Sequence, residues 1–136
     1  MTAIRTFDTG ATRDADDSKL DYEGFLSPLV LERYARYMHE HRRQADGQLR
    51  DSDNWTKGIP RTAYAKSLWR HLMDVMFHHR GLAQLARDPL QVALCAVIFN
   101  AMGMLHEVLL GRDVGAPSTA DCLLADGHAA RAGVVR

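Results

Sequence analysis

The longest apolar stretch of the chain covers residues 92–99 and is the feature that most constrains the fold. It is apolar on every side of a helix, so this helix must be enclosed by other helices or by a partner subunit. Asp88 as N-cap and Pro89 at the first helical position predict its start, and the sequence stays compatible with a helix over 90–110. Asn100 is the only amide between Val92 and Leu105. A buried amide needs hydrogen bonds, so it is either a helix-to-helix strut or a ligand contact.

A second helix is predicted between Pro60 and Gly81, because proline suits a helix start and glycine a helix end. Its apolar residues recur at three- and four-residue steps and are expected to face the core: Ala65, Leu68, Trp69, Leu72 and Met76. A polar stripe follows the same steps: Ser67, His71, Asp74 and His78. An imidazole and a carboxylate one turn apart can hold one divalent ion. The alternative is a solvated face.

Polar, aromatic and cationic groups gather in the turn before this helix. Asn54, Trp55, Lys57 and Arg61 lie within a few residues of one another. This set suits a nucleotide, because tryptophan stacks on a base, asparagine reads its edge, and lysine or arginine meets phosphates. For Trp55, a structural role as a core anchor is the alternative interpretation.

The rest of the chain predicts an all-α protein with poorly ordered ends. Residues 5–22 show neither helical nor alternating periodicity, so an irregular arm is expected, from which Arg13 and Lys19 can reach a phosphate. Ser27 and Pro28 start a helix that continues to about residue 45. The predicted fold is a small helical bundle, with an arm at 1–25, a helical domain at 26–110 and a small-residue tail at 111–136.

Composition excludes several classes of protein. The 136 residues fit one domain, and the 17 basic and 17 acidic residues leave no net field to attract a nucleic acid polymer or an anionic membrane. Cys95 and Cys122 lack metal-ligand spacing and are expected to be reduced thiols. The N-terminus has no apolar signal segment, and the apolar run at 92–99 is too short to span a membrane. We therefore expect a soluble, cytoplasmic protein without a membrane partner.

Motifs of several enzyme classes are missing from the sequence. It has no glycine-rich phosphate loop, no nucleophile elbow and no adjacent His-Asp dipeptide of the kind found in HD phosphohydrolases. Neither cysteine has a convincing catalytic partner. If the chain is an enzyme, attack by a metal-assisted water is the chemistry that remains.

A set of motifs, in order and spacing, matches a known family: Thr9-Gly10-Ala11-Thr12-Arg13-Asp14, Lys19, Leu26-Ser27-Pro28, Asn54-Trp55-Thr56-Lys57-Gly58, Ser67-Leu68-Trp69-Arg70-His71-Leu72, Gly81 and Asn100. Through these motifs the chain resembles, over residues 5–110, the phage dATP/dGTP diphosphohydrolase family of the MazZ type, which belongs with the MazG-like all-α nucleotide pyrophosphohydrolases. The resemblance implies a bundle that is completed by oligomerisation, as a homodimer or homotetramer. It also implies Mg²⁺ or Mn²⁺ and cleavage of a purine deoxynucleoside triphosphate, dGTP or dATP, to the monophosphate and pyrophosphate. In such phages this activity serves the replacement of adenine by 2-aminoadenine in DNA.

The resemblance also assigns roles to residues. His71-x-x-Asp74 lies where the family carries its first Glu-x-x-Glu pair, so Asp74 is the expected metal ligand and catalytic residue, and His71 a ligand or an orienting group. At the family's second acidic pair, Ala93 and Ala96 occupy the matching positions, with Asn100 and Asp88 as the polar residues nearby. Further residues are assigned to metal (Glu32, Glu40), to phosphates (Lys57, Arg61, Arg70, Arg13, Lys19) and to the rest of the substrate (Asn54, Trp55, Asn100).

Two other functions stay open at this point. One is a non-catalytic helical assembly module, which the enclosed helix at 92–99 and the incomplete acidic set favour. The other is an HD-type triphosphohydrolase, which differs in its products.

Overall fold

The computed structural model describes residues 3–15 and 18–112, so the predicted tail beyond residue 112 lies outside the described part. Mostly helical structure is confirmed there. The chain divides into two compact units, Met1–Arg33 and Tyr34–Arg136. The division falls inside a helix, whereas the sequence placed a boundary at residue 25. In chain order the elements are β1 (Ala3–Thr6), β2 (Thr12–Ala15), α1 (Tyr22–Phe25), α2 (Pro28–Glu40), α3 (Arg61–His79) and α4 (Leu90–Leu109), with 3₁₀ turns at Asn54–Lys57 and Ala83–Leu85.

The N-terminal unit corrects the expectation of a purely all-α chain with an irregular arm. β1 and β2 form an antiparallel hairpin in which Ala3 pairs with Ala15 and Thr6 with Thr12. The turn closes through hydrogen bonds from Gly10 N to Phe7 O (2.8 Å) and from Phe7 N to Ala11 O (2.9 Å). Gly10 has a φ of +82°, which glycine adopts without strain. β1 is exposed throughout and β2 nearly so, and the apolar alternation by which a sequence reveals a half-buried strand is therefore missing.

The start of α2 is as predicted, but its end is earlier. Ser27 Oγ accepts a hydrogen bond from Val30 N at 3.3 Å, which makes Ser27 the cap ahead of Pro28. The helix ends at Glu40 instead of about residue 45. It ends there because the chain folds back on itself, with Arg50 N donating to Arg42 O at 2.9 Å.

The helices α3 and α4 pack against each other, and this contact corrects the orientation predicted for α3. On α3, Tyr64 and Asp74 are buried, whereas Trp69 is 67% exposed and Met76 52%. The polar stripe therefore lies on the buried side and part of the apolar stripe faces outward. The Asp74 carboxylate can be buried there because the guanidinium of Arg87 pairs with it.

Small residues on α4 allow the close approach of α3. Ala93, Ala96 and Gly103 are buried on α4, and a Cβ added at Gly103 would overlap the Tyr64 ring. The tyrosine ring thus occupies the space that a larger residue at position 103 would need. The remaining core of this unit centres on Tyr37, Cys95 and Ala96.

Gly103→Ala is therefore expected to lower the melting temperature by roughly 3–10 °C. Overpacking costs about 1–3 kcal/mol, more than the roughly 0.8–1 kcal/mol that alanine gains in a helix interior. Thermal unfolding followed by circular dichroism measures the change. In the Tyr64→Leu background the same substitution should cost less, because the ring that it meets is gone. A higher melting temperature for Gly103→Ala alone would contradict the close approach.

By length and composition alone, α4 is a helix that could cross a membrane, and the sequence had considered only its run at 92–99. The core helix of a soluble protein passes the same test. Here α4 packs on α3 and buries two polar side chains, Asn100 and Glu107. Charged groups are rare within lipid, so this packing favours a soluble protein.

Candidate functional site

Three side chains of metal-ligand type converge where α3 meets the segment before α4. His71 Nδ1 lies 3.9 Å from Asp74 Oδ2 and 3.8 Å from Asp88 Oδ2. One ligand atom from each of the three lies within 4.8 Å of the others. His71 and Asp74 share a helix face because they are three residues apart. The sequence had assigned a metal role to His71 and Asp74 and had named Asp88 only as a polar residue near the family's second acidic pair; the structure brings it to the other two.

The position of Asp88 follows from a one-residue shift in the start of α4. Pro89, and not Asp88, is the N-cap residue, and no side chain caps this helix. The prediction of Asp88 as N-cap is therefore wrong. Its backbone carbonyl instead accepts a hydrogen bond from His78 Nε2 at 2.8 Å, which ties the segment to the end of α3. This tie leaves the Asp88 carboxylate facing His71.

The electrostatics of the cluster favour the forms of His71 and Asp74 that bind a cation. Burial lowers the pKa of His71, with a further contribution from the charge of Arg87, so the neutral imidazole is favoured. Hydrogen bonds donated by the Arg87 side chain lower the pKa of Asp74, although that carboxylate is only 2% exposed. A neutral imidazole therefore faces an ionised carboxylate.

Arg87 holds Asp74 in a bidentate fork. Its Nη2 donates to Asp74 Oδ2 at 2.7 Å, its Nε to both oxygens at 3.2 and 3.3 Å, and its backbone N to Oδ1 at 3.2 Å. A metal ion on Asp74 would therefore replace part of this fork. Because the Arg87 side chain is half exposed, it can turn toward solvent without disrupting the core.

One buried atom of the cluster has no partner. Among the described residues, His71 Nδ1 is a buried side-chain nitrogen for which no hydrogen bond is found. Buried polar atoms are rarely left this way, and the two carboxylates nearest to it lie beyond hydrogen-bond distance but could share a cation with it. The three residues therefore fit a divalent ion.

A second group of predicted residues meets in a chamber of about 320 Å³. This volume is at the lower end of the range for small-molecule sites. Asn54 and Trp55 line it together with Glu40 from the end of α2, so three residues selected from the sequence come together here. Three arginines also line it: Arg42, Arg43 and Arg50.

The turn that carries Asn54 and Trp55 is fastened to the end of α4. Trp55 meets the edge of His106 with ring centroids 4.8 Å apart, and Arg112 Nη2 donates to Thr56 O at 3.0 Å. Arg112 is in turn paired with the buried carboxylate of Glu107 at 3.1 Å. These contacts anchor the indole ring at the wall of the chamber, and binding of a base to Trp55 stays a prediction.

The metal-ligand cluster and the chamber are neighbours but separate. Among the described residues that line the chamber, none is His71, Asp74 or Asp88. Tyr37 lines the chamber and also senses the cluster, because its pKa is raised by burial and, to a lesser extent, by the charge of Asp88.

Other predicted site residues lie elsewhere. Lys57 donates from Nζ to Asn54 Oδ1 at 3.3 Å but does not line the chamber, and neither do Arg61 and Arg70 on α3. The Asn100 amide donates to Ala96 O of its own helix at 2.8 Å, so it is neither a helix-to-helix strut nor a lining residue. The last three predicted site residues lie in the N-terminal unit: Arg13, Lys19 and Glu32.

Sequence reasoning missed the residues that complete both groups. Arg87 lies 13 positions from Asp74, and no periodic pattern links residues so far apart across a turn. Arg42 and Arg43 were expected within the helix that starts at Ser27 and Pro28, and Arg50 was given no role in a site. The available signal was Gly47, because a glycine between Arg43 and Arg50 indicates a tight turn that brings the arginines together.

No protein-family model, no curated protein and no solved structure matches this chain. The resemblance to the MazZ type of diphosphohydrolase therefore rests on the sequence motifs quoted above.

Proposed function

We propose that the protein is a metal-dependent hydrolase that converts a purine deoxynucleoside triphosphate, dGTP or dATP, to the monophosphate and pyrophosphate. The observation that carries this proposal is the cluster of His71, Asp74 and Asp88. It contains a buried, unpartnered imidazole nitrogen beside two carboxylates. Such a set is a reason to expect a cation, and a cation is what a triphosphate needs for cleavage.

Each ligand residue has a defined part in this proposal. His71 would contribute Nδ1, and Asp74 and Asp88 one oxygen each; Glu40, in the chamber wall, is available to a second ion held by the substrate. A bound ion would neutralise phosphate charge and acidify a water molecule. One imidazole among carboxylates suits Mn²⁺ better than Mg²⁺, which prefers oxygen ligands alone.

The chamber supports a nucleotide as the ligand. Trp55 offers an aromatic face for the purine, and Asn54 offers an amide that can read the base edge once Lys57 releases its oxygen. Arg61, Arg70 and Lys57 remain proposed phosphate contacts, for which the substrate would have to extend beyond the chamber. In the biological setting that the resemblance implies, the protein acts in the cytoplasm of a phage-infected cell and supports synthesis of 2-aminoadenine DNA.

Product analysis tests the proposal directly. The purified protein is incubated with each of dGTP, dATP, dCTP and dTTP, in Mg²⁺, in Mn²⁺ and with a chelator. We expect monophosphate and pyrophosphate from a purine substrate, fastest in Mn²⁺ and lost with the chelator. Release of a nucleoside and triphosphate would identify an HD-type triphosphohydrolase instead.

A non-catalytic assembly module is the second candidate, and one observation favours it. The fork from Arg87 already satisfies Asp74, as in a purely structural ion pair. In that case no nucleotide is hydrolysed under any of the conditions above. Partner binding should then survive substitution of the cluster.

Association with further copies of the chain also belongs to the proposal. Large apolar side chains of α3 and α4 are exposed, including Trp69, Leu105 and Leu109. Such exposed apolar area is characteristic of interaction surfaces, and the resemblance implies a homodimer or homotetramer.

Trp69→Glu is expected to shift the protein from oligomer to monomer, because a carboxylate cannot be buried unpaired in an apolar interface. Light scattering after gel filtration measures the mass. Lys66→Glu, which introduces the same carboxylate at another exposed position of α3, serves as the control and should leave the mass unchanged. A monomeric wild-type protein at micromolar concentration would contradict the proposed oligomer.

A further inference from the structure

The loop after α2 is a compact turn that carries three arginines. Arg42 and Arg50 face each other across it, with Arg50 N donating to Arg42 O at 2.9 Å and Arg42 Nε donating to Arg50 O at 2.8 Å. Arg43 Nη1 donates to Gly47 O at 3.4 Å. The turn itself closes at Gly47, whose φ is +82°. The loop is held by its backbone pairing, by these arginine bonds to carbonyls, and by the Asp46 carboxylate, which accepts a hydrogen bond from Gln48 N at 3.0 Å.

These guanidiniums have charge to offer a ligand. Within the described residues, the only hydrogen bonds found for the three side chains go to backbone carbonyls, and none of the three is paired with a carboxylate. Glu40 and Asp51 also line the chamber, outside ion-pair distance of the arginines. The residues that line the chamber therefore include three arginines and two acidic residues, a composition that suits a polyanion carrying a divalent ion.

We infer that Arg42, Arg43 and Arg50 form the phosphate-binding site of the chamber, and that its ligand is the di- or triphosphate group of a nucleotide whose base contacts Trp55. This inference rests on the proposed function and deepens it. A guanidinium binds phosphate oxygens through two parallel hydrogen bonds, a geometry that Lys57 lacks. Lys57, Arg61 and Arg70 do not line the chamber, whereas these three arginines share it with Trp55.

A binding experiment can report from inside the chamber. Trp55 and Trp69 are the two tryptophans of the chain, so Trp69→Phe leaves Trp55 as the single fluorophore, in the chamber wall. Titrations use dGTP, tripolyphosphate and deoxyguanosine, each in the presence of a chelator so that no hydrolysis intervenes. We expect Arg50→Gln to weaken dGTP binding by about tenfold and to leave deoxyguanosine binding unchanged, as loss of one charge-assisted contact predicts.

Two further variants keep the result interpretable. Arg42→Gln should weaken dGTP binding similarly, but it also removes a bond within the loop, so Arg50→Gln decides. Arg80→Gln, an exposed arginine at the end of α3, is the matched control and should bind dGTP as the parent does. Unchanged dGTP affinity in Arg50→Gln overturns the inference. Tripolyphosphate binding as tight as that of dGTP would overturn the assignment to a nucleotide in favour of free polyphosphate.

Failure of this inference and failure of the proposed function are distinguishable. If dGTP binding depends on the arginines but no hydrolysis occurs with a metal ion present, the proposed enzymatic activity is wrong and the phosphate site stands. If the protein hydrolyses dGTP but Arg50→Gln binds dGTP with unchanged affinity, the enzymatic activity stands and the phosphate site is wrong.

Discussion

Asp88→Asn is expected to reduce purine deoxynucleoside triphosphate hydrolysis by roughly 100-fold or more, with little change in stability. The substitution keeps the shape of the side chain and removes the charge that faces His71 at 3.8 Å. The carboxylate is more than a third exposed, and the hydrogen bond to His78 uses the backbone carbonyl, which asparagine retains. Activity should therefore fall because the ion is lost and not because the fold is lost.

Two measurements separate these possibilities. Calorimetric titration with Mn²⁺ should show weakened binding in Asp88→Asn, and thermal unfolding in a chelator should show a melting temperature close to that of the wild type. Asp53→Asn is the control, because Asp53 is an exposed acid that makes no side-chain cap bond. It should retain both Mn²⁺ binding and turnover. Wild-type turnover in Asp88→Asn would remove this residue from the mechanism.

Asp88 gives a cleaner test than Asp74, which is the residue that the sequence favours most. Asp74 is buried and held by Arg87, so its substitution disturbs an ion pair as well as a proposed metal ligand. Loss of activity in Asp74→Ala would then have two explanations. The third member of the cluster, which the structure adds, avoids this ambiguity.

Helix positions were accessible from the sequence because they depend on neighbours in the chain. Pro60 and Gly81 marked the two ends of α3, and Ser27 and Pro28 marked the start of α2. These residues act through local backbone geometry, so short sequence motifs are enough to predict where the helices begin and end. The end of α2 was misplaced because the fold-back of 41–50 depends on backbone pairing across a loop.

The inward face of α3 was not accessible in the same way. Periodicity identifies two stripes but assumes that the more apolar one faces the core. Here Asp74 is buried because Arg87, from beyond the end of the helix, neutralises it, while Trp69 remains exposed. Because Arg87 lies outside α3, the spacing of residues within α3 gives no information about this pairing. His71 and Asp74 were thus selected from the sequence for a reason that differs from the one that places them together in the fold.

Arg87→Met is expected to produce the largest loss of stability among the variants considered, measured in a chelator at neutral pH. It keeps much of the apolar stem but leaves the Asp74 carboxylate, which is 2% exposed, without its cation. The sign of the pH dependence follows from the pKa of Asp74, which Arg87 lowers in the folded protein. This stabilisation is fully present above the ordinary pKa of an aspartate, roughly 4, and is lost as the pH falls through the lowered value.

The difference in melting temperature between wild type and Arg87→Met should therefore be more than about 10 °C at pH 7 and shrink toward pH 3. Arg80→Met controls for the loss of an exposed arginine and should show no such difference. If Asp74 is a metal ligand, Mn²⁺ should raise the melting temperature of Arg87→Met more than that of the wild type, because the ion no longer competes with the guanidinium. An equal loss of stability at pH 3 and pH 7 would mean that Arg87 stabilises the fold through packing alone. Absence of any rescue by Mn²⁺ would mean that Asp74 serves only as the structural partner of Arg87.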